Sequence, residues 1–418
     1  MPEPILLAAG RNKDIYDLPG LHACGQAGRA VSVLSARDLI PLPKGSNLYL
    51  LPDRSPVAFD PQTGLLENIT GHLAVAAFLP PGYTSLYTTA YVENPGARLL
   101  PLFAYSPVAL YKNSFHVPAV LIDRRRNHDI TAINWARVDK KISLLKKSKN
   151  RLIAHLVTCA KCHGCPNAIN FFLGKLECPL PVSPHCNAKC LGCISLQAKG
   201  SCPSTQSRLK FTPTSQEIAE IALMHIQTAS KPVVSFGQGC EGEPLLAASV
   251  IEEAIRLIRR QTSRGTIHMN TNGSLTGRLE ALFSIGLDSV RISLNSAQPG
   301  IYTRYYMPQK YSFHDVLHSM QVAKANNKFL ALNYLVMPGL TDREDEFGAL
   351  TQLLSRVSPD MIQWRNLNYD PLRYFMKIGL RSKSKLLGIR HVISSIKSSF
   401  PELKNGYFNL SKEDQKSS

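Results

Sequence analysis

Three cysteines in one short stretch carry the strongest chemical signal in this chain: Pro184-His185-Cys186-Asn187-Ala188-Lys189-Cys190-Leu191-Gly192-Cys193 contains Cys-x3-Cys-x2-Cys. Three thiolates from one loop can wrap three corners of a cubane [4Fe–4S] cluster. The fourth iron then has no protein ligand, and an open metal position is where chemistry occurs. A structural zinc site is the other reading of the same cysteines, and it needs a fourth ligand such as His185.

A second group lies just upstream. Cys159, Cys162 and Cys165 follow Cys-x2-Cys-x2-Cys spacing, with Cys178 further on. Four thiols at this spacing suit a second Fe–S cluster or a four-cysteine zinc site, with His163 as an alternative ligand. Spacing alone does not separate iron from zinc, and unligated thiols are the third reading. Seven of the ten cysteines fall between Cys159 and Cys193. Cys24, Cys202 and Cys240 read as buried thiols, although Cys240 falls inside a motif described below and so lies near the site.

Elements with regular spacing must position these groups. From about 180 to 370, helical-period segments alternate with short β-branched runs. A helix over 214–228, opened by Thr214 with Glu217 three residues on, precedes a strand over 232–236. Further helix–strand pairs are expected at 247–262 and 266–270, 275–285 and 289–294, 313–325 and 329–337, and 343–356 and 361–367. With one strand beside the first cysteines, this predicts six parallel strands with helical crossovers, a partial (β/α)6 TIM-like barrel. Pro179, Pro181 and Pro184 restrict the first strand to an edge. The chain divides into an α+β or β-rich region over 1–150, a cysteine-rich segment over 151–180, the barrel core over 181–375 and a basic, partly disordered tail over 376–418 that starts with a helix at 384–395.

The motifs at the strand ends resemble the radical S-adenosylmethionine (SAM) superfamily. Ser235-Phe236-Gly237-Gln238-Gly239-Cys240-Glu241-Gly242-Glu243-Pro244 is similar to its Gly-Glu-Pro turn, Met269-Asn270-Thr271-Asn272-Gly273 to its Thr-Asn-Gly segment, Ser293-Leu294-Asn295-Ser296 to its fourth-strand segment, and 334–342 to its fifth strand and turn. The resemblance covers about 180–370. It implies that Cys186, Cys190 and Cys193 hold a [4Fe–4S] cluster whose open iron chelates the amino and carboxylate groups of SAM. One electron then breaks the sulfonium C–S bond, and a 5′-deoxyadenosyl radical abstracts hydrogen from a substrate. Gly239, Gly242, Glu243, Pro244 and Asn272 are the implied SAM-binding residues. Ser293 and Asn295, two apart on a strand, face one side as ribose or carboxylate contacts, and Arg365, Asn366 and Asn368 are candidates at the last strand end. No catalytic side chain is assigned. Family members carry an aromatic residue before the third cysteine; Gly192 stands here, which leaves Leu191 or Ile194 to pack the adenine.

Composition narrows the setting. Hydrophobic residues make up 44% of the chain, enough for folded cores. The apolar run 73–79 is too short to span a bilayer, and Met1–Gly10 lacks a secretory pattern, so a cytoplasmic protein without a membrane partner is expected. A net charge of +18, concentrated at 137–151 and 377–416, suits RNA or DNA, or a solvated lysine-rich surface. RNA or a peptide are the candidate substrates, and the resemblance implies a flavodoxin or ferredoxin as electron donor. The competing class is a non-catalytic Fe–S or zinc protein in electron transfer or nucleic-acid binding, which gives the strand-end motifs no use.

Overall fold

The computed structural model describes residues 3–10, 12–125, 132–380 and 384–416. Two sheets organise the described residues. Fourteen strands between Ile5–Ala9 and Ser114–Leu121 form one sheet, antiparallel throughout. This is the β-rich region the short, proline- and glycine-punctuated apolar runs imply.

Three helices lead into the second sheet: α1 (Trp135–Leu145), α2 (Arg151–His163) and α3 (Pro166–Leu173). Gly164 caps α2 in the left-handed conformation (φ 59°), and Pro166 opens α3 two residues later. The chain thereby doubles back at Cys165. The start of α2 is tied to α4 (Ser215–Thr228): the Asn150 amide donates to the Glu217 carbonyl at 2.8 Å, and Arg151 pairs with the Glu217 carboxylate at 2.7 Å. Glu217 also closes the expected capping box with Thr214.

The second sheet is parallel and curls into an open barrel. Its strands run in chain order: Glu177–Pro179, Val233–Phe236, Thr266–Thr271, Ser289–Leu294, Phe329–Val336, Met361–Asn366 and Lys404–Gly406. The first strand lies at the edge, where its proline removes no ladder bond from a central position. Between the strands stand α5 (Ala248–Gln261), α6 (Thr276–Ser284), α7 (Pro299–Tyr306), α8 (Phe313–Ala325), α9 (Glu344–Val357), α10 (Pro371–Ile378) and α11 (Ile389–Ser399). The tail closes with α12 (Lys412–Lys416).

Two features differ from the sequence reading. The barrel has seven strands rather than six, because the tail returns to pair Lys404–Gly406 with Met361–Gln363. A three-residue strand containing Asn and Gly has no periodicity to reveal it. The tail helix lies at Ile389–Ser399 rather than 384–395.

The two sheets share an interface. Beyond Gln363 the sixth strand leaves its backbone ladder with the seventh and meets the N-terminal region: Thr84 donates to the Trp364 carbonyl at 2.6 Å, and Asn366 bridges the Ser85 amide and the Tyr83 carbonyl. Arg54 and Asp370, both without solvent exposure, form an ion pair of 2.9 Å across this seam, and Tyr91 donates to Asp370. No helix among the described residues is long and apolar enough to cross a membrane.

Candidate SAM and cluster site

The cysteine loop leaves the first strand and is held from both sides. On one side, Lys189 and Leu191 donate to the carbonyls of Tyr306 and Tyr305 at the end of α7 (2.9 and 3.0 Å). On the other, Gly242 donates to the Ser183 carbonyl and Glu243 to the His185 carbonyl (2.7 and 2.8 Å). Gln197 ties the loop to itself by donating to the Leu191 and Cys193 carbonyls.

Cys186, Cys190 and Cys193 are half-buried in this frame. Burial and then the Glu243 charge push the Cys186 thiol up to about 11, and burial with the two neighbouring thiols pushes Cys190 well above the ordinary thiol range. Such thiols keep their protons until a cation displaces them. Three crowded soft donors on one rigid loop therefore fit an iron–sulfur cluster. His185, the fourth ligand of the zinc reading, is exposed. The Arg208 guanidinium donates to Cys193 Sγ at 3.3 Å and to Ser195 Oγ at 3.1 Å. This cation beside the cluster loop has no motif to announce it in the sequence.

The Gly-Glu-Pro turn follows the second strand. Its glycines are required by close approach: a Cβ on Gly242 would lie 1.9 Å from the His185 carbonyl oxygen, and one on Gly237 (φ 74°) 1.6 Å from that of Asn270. Glu243 accepts from the Asn272 amide at 2.8 Å, from Leu245 at 3.1 Å and from the Thr271 hydroxyl. Glu241, which no motif singled out, is buried and accepts from four backbone amides: Gly237, Gln238, Val182 and Ser183 at 2.7–2.9 Å. It ties the turn to the segment entering the cysteine loop. Burial holds both carboxyls at about 7 against the amides that pull them down.

The Thr-Asn-Gly segment reaches the same loop, since the Asn272 amide donates to Asn187 Oδ1 at 2.8 Å and Asn187 donates to Ser274. Gly239 packs against Ile194: a Cβ there would meet Ile194 Cδ1 at 2.6 Å. Pro244 starts a short 3-10 turn capped by Glu243. At Gly192 the missing side chain is replaced from elsewhere. A Cβ there would lie 2.8 Å from the Tyr305 hydroxyl and 3.1 Å from the Asn368 carbonyl. An aromatic ring thus reaches the loop from α7 rather than from the residue before Cys193.

The barrel lumen is more polar than a sheet covered on both faces would be. Register places Glu177, Ser235, His268, Asn270, Arg291, Ser293, Asn333, Gln363 and Arg365 on one face, while the alternating Val234, Ile267, Val290, Ile292, Leu332 and Trp364 join the helix-packed core. Arg291 donates to Gln363 at 2.9 Å, Gln363 to Asn409 at 3.2 Å, and Asn409 to Glu177 at 2.9 Å. The last two contacts show the tail entering the lumen. Arg291 Nε, Asn333 Oδ1, Asn295 Oδ1 and Tyr306 OH are buried without a partner among the described residues. Burial and the nearby Arg365 charge depress the Arg291 pKa, and burial lowers that of His268 to about 4, leaving its imidazole neutral.

Several expected ligands have other duties. Ser293 accepts from Asn333 at 3.0 Å, and Asn295 lies just past the strand end, donating to Tyr374 at 3.1 Å. Arg365 lies over the Tyr407 ring, 4.9 Å from its centroid. Both ends of the Asn366 amide hold the N-terminal region.

The upstream cysteines are not gathered as their spacing implies. Cys162 is exposed on α2, about one turn beyond the buried Cys159. Cys178 is buried on the first barrel strand, with Pro179 O as its sulfur's contact. Cys159 instead meets His155 and Cys240, the thiol of the Gly-Glu-Pro turn. Cys240's sulfhydryl and His155 together acidify Cys159 to about 5.

Residues 180–350 match the family model of the radical SAM superfamily. The chain is 24% identical over 227 residues to human molybdenum cofactor biosynthesis protein 1, covering 54% of this chain and 32% of that protein. It is 25% identical over 168 residues to GTP 3′,8-cyclase of Limosilactobacillus fermentum, covering 40% and 47%. The matches thus span less than half the length of either relative. Among solved structures, a radical SAM methyltransferase from Sphaerobacter thermophilus aligns with 12% identity and a TM-score of 0.38, covering 54% of this chain and 63% of that one. The FeFe-hydrogenase maturase HydG from Carboxydothermus hydrogenoformans aligns with 13% identity and a TM-score of 0.39, covering 67% and 70%. The cysteine loop and the Gly-Glu-Pro turn lie within residues 180–350, the part of the chain that belongs to the radical SAM superfamily.

Proposed function

We propose that the chain is an enzyme that cleaves SAM reductively at a [4Fe–4S] cluster held by Cys186, Cys190 and Cys193, and acts on a small polar, anionic substrate in the barrel lumen. When bound, the cluster and SAM supply a 5′-deoxyadenosyl radical for hydrogen abstraction. The protein's part is positioning. The Gly239–Pro244 turn presents its carbonyls to the SAM ammonium group, Asn272 holds the cysteine loop through Asn187, and Tyr305 offers the ring that Gly192 lacks. Ser293 and Asn295 lie near the end of the fourth strand, where the ribose or carboxylate would be met.

The observation that carries the substrate reading is the unpartnered polar lining of the lumen, with Arg291 and Arg365 on its inner face. Buried polar atoms without partners are rare and call for a ligand, and two guanidinium groups favour an anionic one. RNA or a peptide enters this reading only through a group that reaches the lumen. A flavodoxin or ferredoxin would deliver the electron. In this reading the N-terminal sheet, docked along the open edge of the sixth strand, shields the radical from water.

The test is anaerobic turnover with SAM and reductant, scored by 5′-deoxyadenosine in the presence of nucleotides, sugar phosphates, short RNA and peptides. Stimulation by a small anion, lost in Arg291→Gln while unstimulated cleavage survives, supports the reading. Stimulation by an uncharged peptide, insensitive to Arg291, would refute the substrate class.

A further inference from the structure

The contact between α2 and the Gly-Glu-Pro turn has the composition of a metal site. His155 and Cys159 are four residues apart on α2 and so face one direction. His155 Nε2 lies 3.5 Å from Cys159 Sγ. Cys240 completes the group, with the three ligand atoms all within 4.8 Å of one another. Both thiols are buried and the imidazole is half-buried.

The spacing suits one ion. A tetrahedral site with Zn–S bonds of about 2.3 Å places its ligand atoms roughly 3.8 Å apart. Two thiolates and an imidazole are a borderline-soft set that selects zinc over hard cations. A cubane would need its ligands on separate corners, so the compact group favours a single ion over the second iron–sulfur cluster that the upstream spacing also allowed.

A candidate fourth ligand lies nearby, outside that group. The chain reversal at Gly164 brings Cys165 back, with its amide donating to the Cys159 carbonyl at 3.0 Å. Its half-buried thiol is not among the three gathered atoms and would have to turn toward them to ligate. The neighbourhood is built: Asn167 at the start of α3 donates to Gln238 of the turn at 3.2 Å, and Leu209 donates to the Cys240 carbonyl at 2.7 Å.

We propose that His155, Cys159 and Cys240, completed by Cys165, bind one Zn2+ ion that clamps the α2–α3 hairpin to the turn behind the SAM site. Binding is a ligand exchange in which the thiol protons pass to solvent and no electron moves.

The experiment uses the full-length chain, both as reconstituted wild type and with Cys186, Cys190 and Cys193 all changed to Ala. Zinc and iron are counted after equilibration with zinc and gel filtration, and Co2+ is then substituted for zinc. One zinc per chain is expected in both proteins, with thiolate-to-cobalt charge transfer and tetrahedral d–d bands. Affinity should fall at least tenfold in Cys159→Ala and in Cys240→Ala, and stay unchanged in Cys162→Ala, where the exposed thiol lies outside the group. Should the first two variants fail to fold, the cobalt spectrum of wild type decides. Absence of zinc, a Cys159–Cys240 disulfide, iron at this site in the triple variant, or equal loss in Cys162→Ala would each overturn the proposal.

Discussion

The backbone amide of Glu243 donates to the carbonyl of His185 at 2.8 Å, one residue before the first cysteine of the triad. The turn that would hold SAM and the loop that would hold the cluster are therefore one hydrogen-bonded unit. Gly242 permits the approach, since any Cβ there would lie 1.9 Å from the same carbonyl oxygen.

Gly242→Ala should separate these segments. The obstacle is backbone, which cannot rotate away as a side chain can. A destabilisation of about 1–3 kcal/mol is expected, with loss of reconstitutable iron. Thermal unfolding and iron content on the same sample measure both.

Glu241 gathers four amides from two segments. Glu241→Gln would point an NH2 group at two of those donors, at a cost of roughly 2–4 kcal/mol. Urea unfolding measures it, and a variant as stable as wild type would show that the amides find other acceptors.

Glu243 titrates at about 7 in the folded chain against an ordinary 4.5. The folded state therefore binds more protons than the unfolded state between those values, and the stability linked to this group is lost as pH rises through 7. The stability difference between wild type and Glu243→Gln should move against wild type by up to about 3 kcal/mol between pH 4.5 and 8. A difference constant across that range would contradict the raised pKa.

Arg208 places a cation and a hydrogen bond on Cys193 Sγ. Both favour the reduced, more negative form of a bound cluster. Arg208→Ala should lower the cluster potential by on the order of tens of millivolts in a spectroscopically monitored redox titration.

Asp370 joins the two sheets through Arg54 and Tyr91. Asp370→Asn leaves the Arg54 charge buried with only the partly exposed Glu93 carboxylate to balance it, a loss of about 3–5 kcal/mol. Unfolding of the N-terminal sheet ahead of the barrel, followed by calorimetry, is the expected signature.

The sequence showed what is local in the chain. The triad, the capping box at Thr214 and Glu217, the helix–strand alternation and the proline-limited edge strand are all short-range patterns, and each appears in the structure. What escaped depends on distant residues meeting. Tyr305 serves Gly192 from more than a hundred positions away, and Asn409 of the tail enters the lumen beside Glu177. Cys159 finds Cys240 instead of Cys178, because Cys162 is exposed near the end of α2 and the first strand carries Cys178 into the sheet. The lumen residues were hidden for a simpler reason: strands with alternating polar and apolar residues read as half-buried in any sheet, and only closure into a barrel turns their polar face into a cavity.

The most direct test is anaerobic incubation of the reconstituted chain with SAM and a strong reductant, comparing wild type with the variant in which Cys186, Cys190 and Cys193 are all Ala. 5′-Deoxyadenosine from wild type and none from the variant is the expected result. Intact SAM in both, with a cluster spectrum that SAM leaves unchanged even when candidate substrates are present, would contradict a radical SAM enzyme.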